Sequence, residues 1–251
     1  MLLPEIPLDR NCQILEYNEL GIYAIYKAPG VLSHPNPKSS KGNRKSPSLL
    51  LANYDSSQEC YKWINDEGKS HKLFLCHRLD SPTSGIIIGA SNKELASLIK
   101  LEFANRKVEK TYLAITEFNS KAKEGIWTDY LIEERIAGKL RVTRGKGPKC
   151  QSKVRLLRRK KGNIDLQLIE LKPLTGRTHQ LRVQCMLRKM PIVGDKTYGN
   201  FTLNRKIKKD SKLDRLCLHS TEIRFSIKYK NKDIEFFSES PLPRVLGKVL
   251  S

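Results

Sequence analysis

Two short stretches hold most of the residues that could do chemistry. HRLDSPTSG, residues 77–85, sets a histidine, an arginine and a carboxylate beside a run of turn-forming residues. KPLTGRTHQLRVQ, residues 172–184, carries two arginines and a histidine around a glycine. In the first stretch Ser-Pro-Thr-Ser-Gly cannot continue a regular strand, so Asp80 stands on a tight bend. An aspartate there has two readings. It can accept backbone amides in an Asx turn or cap a helix, with Pro82 near the first turn. Alternatively it is a catalytic carboxylate, kept ionised and oriented by His77 and Arg78. In the second stretch Thr175 and Gly176 form a bend, and Arg177 and Arg182 lie off a common helical face. One of them can then touch phosphate while the other pairs with a carboxylate. His179 and Gln180 could read a base edge or hold the loop.

Other chemistries lack their motifs. There is no GxxxxGK[ST] loop, no GxGxxG after a strand and no GxSxG elbow. The five histidines show no metal-ligand spacing, and the six cysteines form no CxxC pair. A catalyst built on this chain must manage with side chains alone, without metal or cofactor. The amino terminus has acidic residues where a secretory signal would be basic, and no apolar run approaches a membrane span. The cysteines then read as reduced thiols of a cytoplasmic protein.

Charge narrows the partners. The 251 residues hold 47 basic and 26 acidic side chains, a net charge of +21. Between Lys139 and Lys161 there are eleven Lys or Arg and no acid. A second basic cluster runs through Arg205, Lys206, Lys208, Lys209, Lys212 and Arg215. A solvated face would account for an ordinary charge run, but an excess of this size points to nucleic acid. No long amphipathic helix accompanies it, so a membrane surface is the weaker partner.

The elements that must position these residues read mostly as strands. Alternation predicts a strand over 21–27, followed by a turn and extended loop over 28–35 and a polar surface loop over 36–47. Residues 85–90 form a buried strand, and Ser91-Asn92-Lys93-Glu94 starts a helix to about Arg106. Residues 110–118 form a strand with Tyr112, Ala114 and Thr116 on one face. Further strands are expected over 126–134 and 152–160, flanking the basic, glycine-containing segment 138–149. A Lys-Gly-Asn turn at 161–163 leads into 164–171. A helix follows over about 177–189, then strands over 215–221 and 222–229, a Lys-Asn-Lys turn, and a last strand ending near Phe237. Strands joined by short turns favour an α+β fold with a mixed, mostly antiparallel sheet. No clear linker divides the chain.

HRLDSPTSGIIIGA (77–90) and LTGRTHQLRV (174–183) resemble the two most diagnostic motifs of the RluA-type RNA pseudouridine synthases. IYKAPGVLSHP (25–35), KTYLAIT (110–116), PIVGDKTYG (191–199) and LCLHS (216–220) resemble that family's other signatures, in the same order. The resemblance spans about residues 20–240, leaving 1–19 as an extension without room for a separate S4-type domain. It implies a pseudouridine synthase fold with a central cleft flanked by helices and loops. It also implies isomerisation of uridine in ribosomal or transfer RNA, with base flipping and no cofactor. By that resemblance Asp80 is the catalytic aspartate, Tyr112 the active-site tyrosine and Arg182 the basic residue that pairs with the aspartate. His77, Arg78, Thr83, Arg177, His179 and Gln180 then contact RNA. Gln184 stands where the family usually has histidine, at a position read as peripheral. The competing readings are a catalytically inactive RNA-binding module of the same fold and a basic DNA- or ribosome-associated structural protein. The chain is expected to act as a monomer on RNA, not DNA.

Overall fold

The computed structural model describes residues 5–35 and 46–250. They pack as two units, the first running to Val108 and adding Glu222–Ser240, the second comprising Glu109–Thr221 with the residues from Pro241 on. The expected 36–47 loop lies almost wholly outside the described residues.

The first unit holds β1 (Gln13–Tyr17), β2 (Ile22–Lys27), β3 (Asn53–Asp55), β4 (Cys60–Ile64), β5 (Ser70–Leu75) and β6 (Ser84–Ala90). Successive antiparallel pairings join β1 to β2, β2 to β6, β6 to β5, β5 to β4 and β4 to β3. The Ile86-Ile87-Ile88 run is apolar throughout because β6 is covered on both faces. Ile86 and Ile88 enter a core with the helix α1 (Lys93–Ala104), while Ile87 enters a core with Leu49, Leu50 and Tyr61. Each such isoleucine contributes about 1.5–3 kcal/mol of transfer free energy. The cap of α1 is Asn92, whose side chain accepts from the Leu95 amide, rather than Ser91. Strands β3, β4 and β5 come from a stretch whose hydrophobic pattern is too short and broken to announce them.

In the second unit the antiparallel order is β7 (Glu109–Glu117), β10 (Leu166–Pro173), β9 (Lys139–Lys160) and β8 (Gly125–Ile136). The basic segment 138–149 is therefore strand, not a loop between strands. Gly145, Gly147 and Pro148 sit in a bulge that β9 absorbs without ending, while Gly138 lies in the turn before it. Beyond β10 come α2 (Gln180–Leu187) and α3 (Phe201–Ser211), the latter unforeseen in the sequence. The helix α2 starts later than expected because His179 takes a left-handed φ of 51°. Its Val183 packs with Leu131, Val142 and Cys150.

One strand, β11 (Leu218–Tyr229), replaces the two expected over 215–229. Its residues to Thr221 belong to the second unit and the rest to the first. Leu218 to Thr221 are all buried, and from Glu222 on exposed and buried residues alternate without a glycine or proline to interrupt them. It pairs antiparallel with β12 (Lys232–Glu239) through a turn in which Lys230 and Asn231 both have positive φ. All six cysteines are buried and free. No helix among the described residues is long and apolar enough to cross a membrane.

Candidate active site

Asp80 is half-buried in the first unit, on the bend that leads into β6. The Thr83 amide donates to the Asp80 carbonyl at 3.0 Å and closes the turn. Lys27, at the end of β2, braces it from below. Its ammonium has no exposure and donates to the carbonyls of Ala28 (3.1 Å), Val31 (2.7 Å) and Ser81 (3.0 Å). Ser33 clamps the other side, its hydroxyl donating to the Leu79 carbonyl at 3.0 Å and accepting from the Leu79 amide at 3.1 Å. The Gly30 amide adds a 2.8 Å bond to the Ser81 carbonyl. Residues 27–33 thus form a cradle whose one visible product is the shape of the Asp80 turn.

The other sequence-selected residues of this unit divide by role. The His77 Nε2 accepts from the Ile88 amide at 3.0 Å, and its ring stacks on Phe103 at 4.7 Å. His77 therefore anchors the start of the motif to β6. Thr83 is buried. Arg78 is exposed, its Nη1 donating to the His34 Nε2 at 3.1 Å. The His34 Nδ1 lies 3.1 Å from the Pro35 carbonyl, which only accepts. The contacts fit a ring that donates through Nδ1 and accepts through Nε2. His34 also stacks on Tyr54 at 5.1 Å.

In the second unit Tyr112 lies on β7 opposite Leu171, on the sheet face that carries the core. Two residues earlier, burial lowers the Lys110 ammonium pKa below its ordinary value. Arg182 is buried in α2 and held at two points by Asp195, Nε to Oδ2 at 2.8 Å and Nη2 to Oδ1 at 2.9 Å. Asp195 Oδ1 also accepts from the Thr197 and Tyr198 amides at 2.8 and 3.0 Å. Burial works against its charge, but the Arg182 hydrogen bonds, the Arg182 charge and these amides outweigh it. Its carboxyl is held below the usual range. The Tyr198 ring faces the guanidinium at 5.1 Å, and its hydroxyl meets the His179 Nδ1 at 2.8 Å. Gly194, with φ of 75°, makes this loop possible, since a Cβ there would lie 1.8 Å from the Arg215 carbonyl. Arg182 has five N–H donors, so the pair with Asp195 does not exhaust it.

Gln180 serves the fold at both ends of its amide. Its Oε1 accepts from the Thr175 hydroxyl (2.7 Å) and the Arg177 amide (3.1 Å). Its Nε2 donates to the Gln151 carbonyl and the Ser152 hydroxyl, each at 3.0 Å. These contacts fill the positions a base edge would need. Arg177 is exposed just before α2. Gln184 is not peripheral but fully buried, accepting from the Ser152 hydroxyl at 2.7 Å and donating to Asp129 at 3.0 Å. Lys27, Ser33, Asp195 and Tyr198 were not singled out from the sequence. Each has a partner far along the chain, Ser81 for Lys27, Leu79 for Ser33, Arg182 for Asp195 and His179 for Tyr198, and local spacing carries no signal of that kind.

The RNA pseudouridylate synthase family model matches residues 21–187. The chain belongs to the RNA pseudouridylate synthases, RluA type. That family consists of isomerases that act on RNA. The ribosomal large subunit pseudouridine synthase D of Borreliella burgdorferi is 30% identical over 90% of this chain and 64% of its own length. The tRNA pseudouridine synthase C of Vibrio cholerae is 34% identical over 68% of this chain and 73% of its own. The chain thus spans a little under two thirds of the length of the first of these. In fold it is similar to human RNA pseudouridylate synthase domain containing 1, with a TM-score of 0.67 at 21% identity over 100% of this chain and 91% of that one. A second human structure, RNA pseudouridylate synthase domain containing 4, is similar in fold with a TM-score of 0.63 at 23% identity over 94% of this chain and 91% of that one.

Proposed function

We propose that this chain isomerises uridine to pseudouridine in ribosomal or transfer RNA, with Asp80 as its catalytic carboxylate. The observation that carries the reading is the bracing of the Asp80 turn. A buried lysine and a serine clamp are spent on fixing the backbone around one half-buried carboxylate, inside the stretch that resembles the family's catalytic motif. Relatives named for ribosomal and transfer RNA support the substrate class.

The reaction breaks the bond from N1 to C1′ and forms one from C5 to C1′. The C5 proton leaves and N1 gains one, so atoms balance without redox or group transfer. A carboxylate can add as a nucleophile at C1′ or C6, or remove a sugar proton. Arg182 supports the charged state of Asp80, Tyr112 stacks on the uracil and assists removal of the C5 proton, and Arg78, Arg177 and His179 meet the RNA. The target must leave its stack, which costs a few kcal/mol, least in loops and bulges. Phosphate contacts from the basic surface offset that cost.

Release of tritium from RNA labelled at uridine C5 tests the reading. Wild-type protein releases label from ribosomal or transfer RNA of cells lacking the gene, while Asp80→Asn binds that RNA and releases none. Turnover by a folded Asp80→Asn protein rules out Asp80. Tyr112→Phe slows release while retaining binding; wild-type rates would show that its hydroxyl is not the base.

A further inference from the structure

The sheet of the second unit has two faces of opposite character. On one, Trp127, Asp129, Leu131, Cys150, Ser152, Val154 and Leu171 are buried. The alternate positions form a cross-strand grid on the other face. There Ile126 lies opposite Lys153, Thr128 opposite Gln151, and Tyr130 opposite Lys149. On the next strand Lys172 lies opposite Lys153 and Glu170 opposite Arg155. Arg155 pairs with Glu170 at 3.4 Å, which leaves Lys149, Lys153 and Lys172 as a stripe of one sign. Like charges directly opposite one another destabilise a sheet. Lys153 facing Lys172 is therefore a cost that an anion would relieve.

An aromatic ring ends the stripe. Tyr130 is 53% exposed beside an open groove of about 630 Å³ that it lines with Arg144, Gly145, Lys146 and Gly147. The groove exists because β9 bulges there. Tyr130 pairs with Lys149 while its neighbour Leu131 pairs with Arg144, so residues 145–148 have no partner on β8. Gly147 permits this crossing, since a Cβ would lie 1.7 Å from the Leu131 carbonyl. The bulge presents exposed Arg144, Lys146 and Lys149 around the ring.

We propose that this face is a track for single-stranded RNA, with one base stacked on Tyr130 and phosphates held by Lys149, Lys153, Lys172 and the bulge. Interleaved cations and an exposed ring suit a single strand, because each base offers a π-face and the backbone is anionic. Tyr112 lies on the opposite face of the same sheet, so the track takes nucleotides other than the target. The inference rests on the synthase reading and adds to it a second RNA contact.

A fluorescein-labelled twelve-nucleotide oligocytidine tests the track without offering a uridine to isomerise. Tyr130→Ala weakens its binding roughly 5- to 150-fold, while Tyr130→Phe binds as wild type. Lys149→Gln, Lys153→Gln and Lys172→Gln each lower the slope of log affinity against log salt by about 0.7. The double variant Lys228→Gln/Lys232→Gln removes the same kind of charge from the first unit and leaves both readouts unchanged. Wild-type binding by Tyr130→Ala overturns the proposal, as does an equal loss in the first-unit double variant. Binding to phosphatidylserine vesicles that fails with the stripe variants, while oligocytidine binding persists, also overturns it. Absence of tritium release by wild-type protein would sink the synthase reading instead, and leaves the oligocytidine result to be judged alone.

Discussion

Arg182 and Asp195 form a two-point ion pair with side chains only 5% and 1% exposed. The pair fixes the guanidinium plane from outside its own helix. Asp195 is itself fixed by two backbone amides and by a glycine that brings the loop against Arg215. The orientation of the arginine is thus set by a loop, and by a residue that need never touch substrate.

Breaking that pair from the acid side should be costly. Asp195→Asn leaves a buried arginine without its countercharge, and we expect a loss of about 3 kcal/mol in urea unfolding. The carboxyl is lowered in the folded state, so its contribution is fully present above the unfolded value near 3.9 and is lost as pH falls below it. The stability difference between wild type and Asp195→Asn should therefore be constant from about pH 6 upward and shrink below about pH 4. A difference independent of pH down to 2 would mean that the carboxylate charge is not what stabilises.

Lys27 poses a similar question in the first unit. Lys27→Met keeps the length of the side chain but strands the three carbonyls that now accept from the ammonium. Unfolding in urea should show a loss of at least about 2 kcal/mol. The more informative readout is kinetic. If the Asp80 turn shifts by an ångström, kcat falls about 100-fold with KM little changed. A variant destabilised but catalytically normal would make Lys27 a core residue only.

The sequence made some of this legible and hid the rest for physical reasons. The β6 strand and the Asp80 bend were readable because a continuous apolar run and a Ser-Pro-Thr-Ser-Gly turn are local signals. The β7 strand was readable from its hydrophobic pattern. The segment 138–149 misled because glycine and proline normally end strands, whereas here they make a bulge within one. The role of Gln184 was invisible because burial is a tertiary property, and a polar residue on a helix looks peripheral until its partners are known. Asp195 lay in a stretch that resembles a family signature, yet its partner is thirteen residues away across a loop.

Gln184 gives a direct measure of that hidden network. Gln184→Leu fills the same space but deprives the Ser152 hydroxyl of its acceptor and Asp129 of a donor. A loss of about 2–3 kcal/mol is expected, because buried polar groups left unsatisfied carry their full desolvation cost. Asp129 keeps its 2.8 Å contact with Arg188, which limits the damage. Turnover per folded molecule at low temperature should stay within about threefold of wild type. A larger fall in kcat with unchanged stability would place Gln184 in the catalytic machinery.

His34 should act on binding instead. It accepts from Arg78 while stacked on Tyr54, so it holds an exposed guanidinium in one orientation before RNA arrives. His34→Ala releases that side chain, and ordering it then becomes part of the cost of binding. One such hydrogen bond corresponds to roughly 2- to 10-fold in affinity. We expect KM to rise by that factor with kcat retained, and Arg78→Ala to show no further change when combined with His34→Ala. Steady-state kinetics on the single and double variants decide the matter. Additive losses would mean that His34 and Arg78 meet the RNA independently and that the contact between them is incidental.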